Sequence, residues 1–110
     1  MRNIKKTIID VTLGLASVLA TAFLWEEPNY LIPLLFIFGT MMVYTGGKHI
    51  LFIYGLSFVL GPVMEIIVIN MGGAWNYSQP HILGIPFWLP FLWGNAGLFI
   101  NRINLFIQGK

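Results

Sequence analysis

The sequence has little charge, no cysteine and only two histidines, and each shortage excludes a class of protein. Only 9% of the 110 residues are charged, whereas about a quarter of a soluble domain is. The lack of cysteine excludes disulfides, thiolate catalysis and cysteine metal sites. The two histidines are far apart in sequence and no glycine-rich phosphate loop occurs, so no metal and no cofactor is expected. A net charge of +2 from scattered cations does not support nucleic-acid binding.

Hydrophobic residues dominate instead, at 57% of the chain. A hydrocarbon core of about 30 Å needs roughly 20 apolar residues per helix, so four crossings would use nearly the whole sequence. The pattern therefore predicts an all-α polytopic membrane protein, a single transmembrane domain over residues 1–110 whose partner is the lipid bilayer. The predicted helices, joined by short loops, cover residues 7–25, 30–45, 50–70 and 82–101.

The charges predict how these helices are oriented. All six Lys and Arg residues fall on one side of a four-crossing arrangement, whereas Glu26 and Glu27 fall on the other. Lys and Arg are enriched in cytoplasmic loops, so both termini are expected in the cytoplasm and the polar loop 71–81 outside. The expected location is the plasma membrane of a bacterium or an archaeon.

The first apolar segment also has features of a secretory signal. It has a basic start, and Ala20-Thr21-Ala22 looks like a cleavage site. Asp10 inside the segment and the bulky residues 23–25 after the site argue against cleavage. Asp10 also follows Lys6 by four residues, a spacing that predicts a structural ion pair on one helix face near the membrane surface.

Glu65 is the carboxylate with no obvious access to water, because it lies within the apolar run 50–69. An acid inside a membrane is costly, so Glu65 is expected to face protein or a water-filled cavity, or to be neutral. It is our candidate catalytic acid or base, although a protonated Glu65 that only donates a hydrogen bond between helices is the open alternative. The candidate substrate-binding residues are Tyr54, Trp75, Tyr77, Trp88, Trp93 and Asn95. The aromatic ones among them are also typical of an interface belt and a packing core.

Small residues form a face on each of the last two predicted helices. The third helix carries Ser57 and Gly61 at a spacing of four, followed by Glu65. The fourth helix carries Pro90, Gly94, Gly97 and Asn101 on one face. Membrane helices commonly pack through such faces, so we predict that these two helices are paired. The Gly61 and Gly94 faces are also candidate surfaces for a homo-oligomer or a hetero-oligomer.

Several of these positions together resemble a known pattern. They are Gly61, Glu65, Gly72, Gly73, Tyr77, the Gly84-Ile85-Pro86 segment, Pro90 and Trp93. In this order they resemble carotenoid-biosynthesis membrane proteins of the bisanhydrobacterioruberin hydratase type. The chain is shorter than the proteins of that family, and Trp75-Asn76 replaces a second aromatic expected beside Tyr77. The resemblance implies addition of water to a terminal carbon–carbon double bond of a long isoprenoid, with a buried acid supplying the proton.

Two other classes of function stay open at this point. A chain this short can be an accessory or structural subunit of a larger membrane complex, in which Glu65 and the small faces bind a partner helix. Four helices with one membrane Glu also describe the small multidrug-resistance exporters, which are proton-coupled transporters. Those exporters place their Glu in the first helix and need a weak charge bias, unlike this sequence.

Overall fold

Four α-helices make up most of residues 2–110, the part of the chain that this computed structural model describes. They are α1 (Ile4–Leu24), α2 (Pro28–Tyr44), α3 (Lys48–Ile67) and α4 (Leu89–Ile107). A π-helical turn, Val68–Gly72, continues α3. Within residues 2–110 there is no β-strand, only an isolated bridge between Ile82 and Ile85. The all-α prediction with four helices is confirmed.

The helix ends follow from local sequence. The Asn3 side chain caps α1 by accepting a hydrogen bond from the Lys6 backbone N–H at 3.1 Å. Pro28 begins α2, where its missing N–H costs nothing. Gly73 ends the π-helical turn in the left-handed conformation, with φ of 63°.

The fourth helix begins later than predicted, at Leu89 instead of residue 82, and continues beyond residue 101 to Ile107. A tight turn occupies the missing part, because Leu83 and Gly84 have φ values of 51° and 89°. Ile82 and Ile85 exchange backbone hydrogen bonds across this turn. Helix can start only after the turn.

Neighbouring helices run antiparallel, so both termini and the α2–α3 loop lie at one end of the bundle. The Asn3 backbone N–H donates to the Lys110 carbonyl at 2.7 Å, and the Lys6 ammonium donates to Thr45 Oγ1 at 2.8 Å. We call this end the basic end, because all six Lys and Arg residues lie on its side of the bundle. The opposite end, formed by Glu26, Glu27 and residues 73–88, is called the loop end.

The outside of the bundle is rich in large apolar side chains, and the inside holds polar side chains among an apolar core. Phe23 and Met71 are 82% and 84% exposed, and many other large apolar side chains also face outwards. The buried polar residues are Lys6, Asp10, Ser17, Asn95 and Arg102. By length and composition, Ile4–Leu24 and Lys48–Gly72 can each cross a membrane, whereas Pro28–Tyr44 is apolar but shorter. The predicted Lys6–Asp10 ion pair is present at 2.6 Å, and it is buried between helices.

Helix α3 packs more extensively on α4 than on any other helix, as the small faces predicted. Gly61 lies under the ring of Trp93, Gly94 under Tyr54, and Gly97 under Ser57. A Cβ atom added at Gly94 would stand 2.5 Å from Cε2 of Tyr54. The glycines are therefore needed for the close approach of α3 and α4, and the chain itself covers them.

Replacement of Gly94 by Ala is expected to lower stability by about 1–3 kcal/mol, because the added methyl group overlaps the Tyr54 ring. Gly55→Ala is the matched control, since nothing lies within 4 Å of a Cβ there. Alanine also raises helix propensity by about 1 kcal/mol, so the control should melt at or above the parent in detergent. Equal melting temperatures for the two variants would contradict the assigned interface.

Candidate functional site

The carboxylate of Glu65 is the centre of a hydrogen-bonded aromatic group at the loop end. Its Oε1 accepts hydrogen bonds from the Tyr77 hydroxyl at 2.5 Å and from Trp75 Nε1 at 3.3 Å. Its Oε2 accepts one from Trp93 Nε1 at 2.5 Å. Three donors from two other parts of the chain thus meet one acid.

Local structure explains how these donors reach the acid. Glu65 lies in the last turn of α3, and the π-helical turn with Gly73 then sends the chain back past it. The loop that follows carries Trp75 and Tyr77. Trp93 comes from the first turns of α4, and its ring lies against Gly61, where any side chain would collide with it.

The chemistry of the donor groups shows which partner donates and which accepts in these hydrogen bonds. An indole N–H can only donate, so Trp75 and Trp93 require an acceptor at Glu65. Among residues 2–110 the hydrogen-bond partners of the Glu65 side chain are Trp75, Tyr77 and Trp93, and neither Asn95 nor Tyr54 is one of them.

An apolar cavity of about 290 Å³ adjoins this carboxylate. It is lined by Val18, Glu65, Tyr77, Trp88, Leu89, Leu92, Trp93 and Ala96. Tyr77 and Trp88 meet edge to face, with ring centroids 5.9 Å apart and planes at 89°. The combination is one carboxylate in a wall that is otherwise aromatic and aliphatic.

Two further cavities adjoin the first one. A groove of about 540 Å³ between α3 and α4 shares Trp93 with it and extends to Asn101 and Asn104. A cavity of about 320 Å³ at the loop end shares Tyr77 and Trp88 with it. The Glu65 cavity therefore lies between an apolar groove on the outside of the bundle and the loops.

The structure brings together most of the predicted site residues. Those around the Glu65 cavity are Glu65, Trp75, Tyr77, Trp88 and Trp93. Asn95 lies elsewhere, fully buried, where its Nδ2 donates to Ser17 Oγ and to the Leu35 carbonyl, both at 3.0 Å. Tyr54 packs on Gly94 and Gly39 and does not line the Glu65 cavity. These two residues stabilise the bundle interior.

Sequence reasoning missed the residues that hold the loop end together. Asn70 Nδ2 donates to the carbonyls of Ile66 and Leu83, both at 2.9 Å, and so ties the π-helical turn to the tight turn at Leu83. The His81 ring accepts from the Phe87 backbone N–H at 2.9 Å and stacks on the Phe87 ring. A polar side chain at the end of an apolar helix was the only available signal for Asn70.

No protein-family model, curated protein or solved structure matches the chain. Within residues 2–110 there is also no group of three or more His, Asp or Glu side chains arranged to hold a metal ion. The function is therefore inferred from the geometry of the Glu65 centre.

Burial raises the pKa of the Tyr77 phenol above its ordinary value of 10.0, and the hydrogen bond to Glu65 and the charge of Glu65 raise it further. The folded protein thus retains this proton at a higher pH than the unfolded chain does. The stabilisation is complete below about pH 10 and is lost as the pH rises towards the folded-state pKa.

We expect the melting temperature of the parent to fall more steeply between about pH 10 and pH 12 than that of Tyr77→Phe, which has no phenol to ionise at this position. Tyr44→Phe is the control, because Tyr44 is exposed and far from Glu65. It should follow the parent curve. Parallel curves for the parent and Tyr77→Phe would show that the Tyr77 proton is not linked to folding.

Proposed function

We propose that this chain is a four-span membrane protein that binds a long apolar isoprenoid or lipid chain beside Glu65 and performs acid–base chemistry on it. The observation that carries the proposal is an ionisable carboxylate, held by three hydrogen-bond donors, in the wall of an apolar aromatic cavity. Both termini are proposed to be cytoplasmic and the loop end external.

The distribution of polarity supports the membrane location. Two helices have the length and composition to cross, and the outer surface of the bundle is rich in large apolar side chains. Polar groups such as Ser17 and Asn95 hydrogen-bond in the interior. A soluble protein would expose far fewer large apolar side chains, because exposed apolar surface is unfavourable in water.

The size and arrangement of the cavities favour a long ligand. The groove between α3 and α4, which is apolar over most of its lining, lies on the other side of Trp93 from the Glu65 cavity, so a long chain that passes Trp93 would contact both. Trp93 forms the wall between the groove and the cavity. The reactive end of such a chain would then lie among Tyr77, Trp88 and Trp93, next to Glu65.

The chemistry that suits this wall is one in which positive charge develops on the ligand. Aromatic faces attract a cation, by about 2 kcal/mol where water is excluded, and an ionised Glu65 adds a full negative charge. In hydration of a double bond, a proton is added to one carbon, water attacks the cationic carbon, and the oxonium proton leaves. Glu65 is suited to accept that last proton and, once protonated, to return it to the next double bond.

Transport of a lipophilic cation is a second candidate, favoured by one specific observation. Cavities lie on both sides of the Glu65 cavity and share its aromatic walls. Such an arrangement would let a ligand pass Glu65 between the apolar groove and the loop end, with a proton exchanged at the carboxylate. This candidate predicts binding without chemical change of the ligand.

The proposed ligand should remain with the protein in mild detergent. We expect an organic extract of the purified chain to contain an isoprenoid or lipid at near-stoichiometric amount, identified by absorption spectrum and mass spectrometry. Glu65→Gln should fold and bind but not convert the ligand, since it keeps the size of the side chain and loses the proton acceptor. Glu26→Gln, an exposed acid at the same end, is the matched control and should behave as the parent.

Other outcomes of this experiment would favour a different function. A foreign subunit that copurifies in place of a ligand would favour an accessory role in a complex. Full turnover by Glu65→Gln would remove Glu65 from the chemistry. Binding of the ligand with a proton exchanged but no product would favour transport.

A topology measurement tests the proposed orientation. A reporter fused after Lys110 should be cytoplasmic, because all six Lys and Arg residues lie towards the basic end. A reporter inserted near Gln79 should be external. A periplasmic signal from the Lys110 fusion would be incompatible with four crossings in this orientation.

A further inference from the structure

Arg102 carries a buried positive charge that makes no salt bridge within residues 2–110. It lies about one and a half turns before the end of α4, and only 8% of its surface is exposed. Its Nε and Nη2 atoms are fully buried, and neither has a hydrogen-bond partner in residues 2–110. Arginine stays charged in proteins, and buried polar groups are nearly always hydrogen-bonded, so this arrangement needs an explanation.

The two unpaired atoms are adjacent on the guanidinium. Nε and Nη2 form one edge of the planar group and offer two roughly parallel N–H bonds. A carboxylate or a phosphate accepts such a pair through two oxygens at once, which is the strongest way in which arginine binds an anion. The pattern of unpaired atoms thus matches a single two-oxygen acceptor.

The neighbouring buried charges do not provide that acceptor. Asp10 lies within Coulombic range of Arg102, but its Oδ1 accepts from the Lys6 ammonium at 2.6 Å. Lys6 also donates to the Met42 carbonyl at 2.7 Å and to Thr45 Oγ1 at 2.8 Å, which occupies all three of its protons. Lys6 and Asp10 neutralise each other, so the charge of Arg102 is left as an excess of one.

The surroundings would attract an anion. Within residues 2–110, Asp10 is the only acidic side chain at the basic end, where all six Lys and Arg residues are found. A cavity of about 280 Å³ opens at the same end and is lined by Asn3, Lys5, Lys6, Ile9 and Thr45. Arg102 does not line this cavity, so an anion reaches its buried guanidinium only by moving inwards past the lining residues.

We propose that Arg102 binds an anionic phosphate or carboxylate group at the basic end, with its Nε and Nη2 edge as the recognition element. The apolar outer surface of the bundle favours the phosphate of an anionic lipid headgroup as the source, and a soluble phosphate shares the same chemistry. This site is independent of the Glu65 cavity, which lies at the opposite end.

The test uses the full chain in a neutral detergent, with phosphatidylglycerol, phosphatidylcholine or inorganic phosphate as the probe. Saturating phosphatidylglycerol is expected to raise the melting temperature of the parent by about 5 °C more than phosphatidylcholine does. Arg102→Gln should lose this difference, and Lys110→Gln should keep it, since it removes the same charge from an exposed position at the same end. Arg102→Lys keeps the charge without the two-pronged edge, so it should bind more weakly than the parent.

Native mass spectrometry of the same samples counts the retained phosphatidylglycerol and gives a readout that does not depend on stability. A rise with inorganic phosphate that also requires Arg102 would identify a soluble anion as the ligand. The proposal is overturned if the two lipids act equally on the parent, or if Arg102→Gln retains as much phosphatidylglycerol as Lys110→Gln does. If Arg102→Gln does not fold, the comparison of Arg102→Lys with Lys110→Gln decides, and equal retention by these two overturns the two-pronged recognition.

Discussion

The half-buried Glu65 carboxylate needs hydrogen-bond donors, and all six Lys and Arg residues lie towards the other end of the bundle. Trp75, Tyr77 and Trp93 meet this need with three hydrogen bonds. To deliver them, the chain must turn back after α3 and α4 must begin beside its last turns. The π-helical turn, the left-handed Gly73 and the late start of α4 are all parts of this solution. The arrangement of the loop end thus follows from one acid.

Close packing of α3 and α4 is what makes the third donor available. The Trp93 ring occupies space that exists because residue 61 has no side chain. The same ring separates the outer groove from the Glu65 cavity. One glycine on α3 therefore influences helix packing, the hydrogen bonding of Glu65 and the shape of the ligand space together, so these properties cannot be changed separately at this position.

The sequence predicted the helices and their order, because apolar length and charge breaks are local signals. It also predicted the pairing of α3 with α4 from the spacing of small residues, and most residues around Glu65. It failed at the start of α4, where the turn at Leu83 depends on a hydrogen bond from Asn70 to a residue distant in sequence. The resemblance to carotenoid hydratases, which rests on residues 61–94, stays a prediction.

Two other predictions were wrong because they also depend on tertiary contacts. Asn95 and Tyr54 were expected beside Glu65, but a helical repeat does not say which of several neighbouring helices a buried side chain will face. Asn95 faces α1 and α2, where it finds Ser17 and Leu35. Arg102 lies just beyond the predicted end of the fourth helix at residue 101, whereas α4 continues past it to Ile107 and buries it.

The polar contacts of α1 show how this helix contributes to the interior of the bundle. Ser17 accepts from Asn95, and Lys6 with Asp10 connects α1 to the end of α2. A chain cut after Ala22 would lose all three residues, and the Asn95 amide of α4 and the Met42 carbonyl of α2 would lose these hydrogen-bond partners. In its contacts the first helix is a wall of the bundle, and two of the other helices, α2 and α4, carry polar groups that it satisfies.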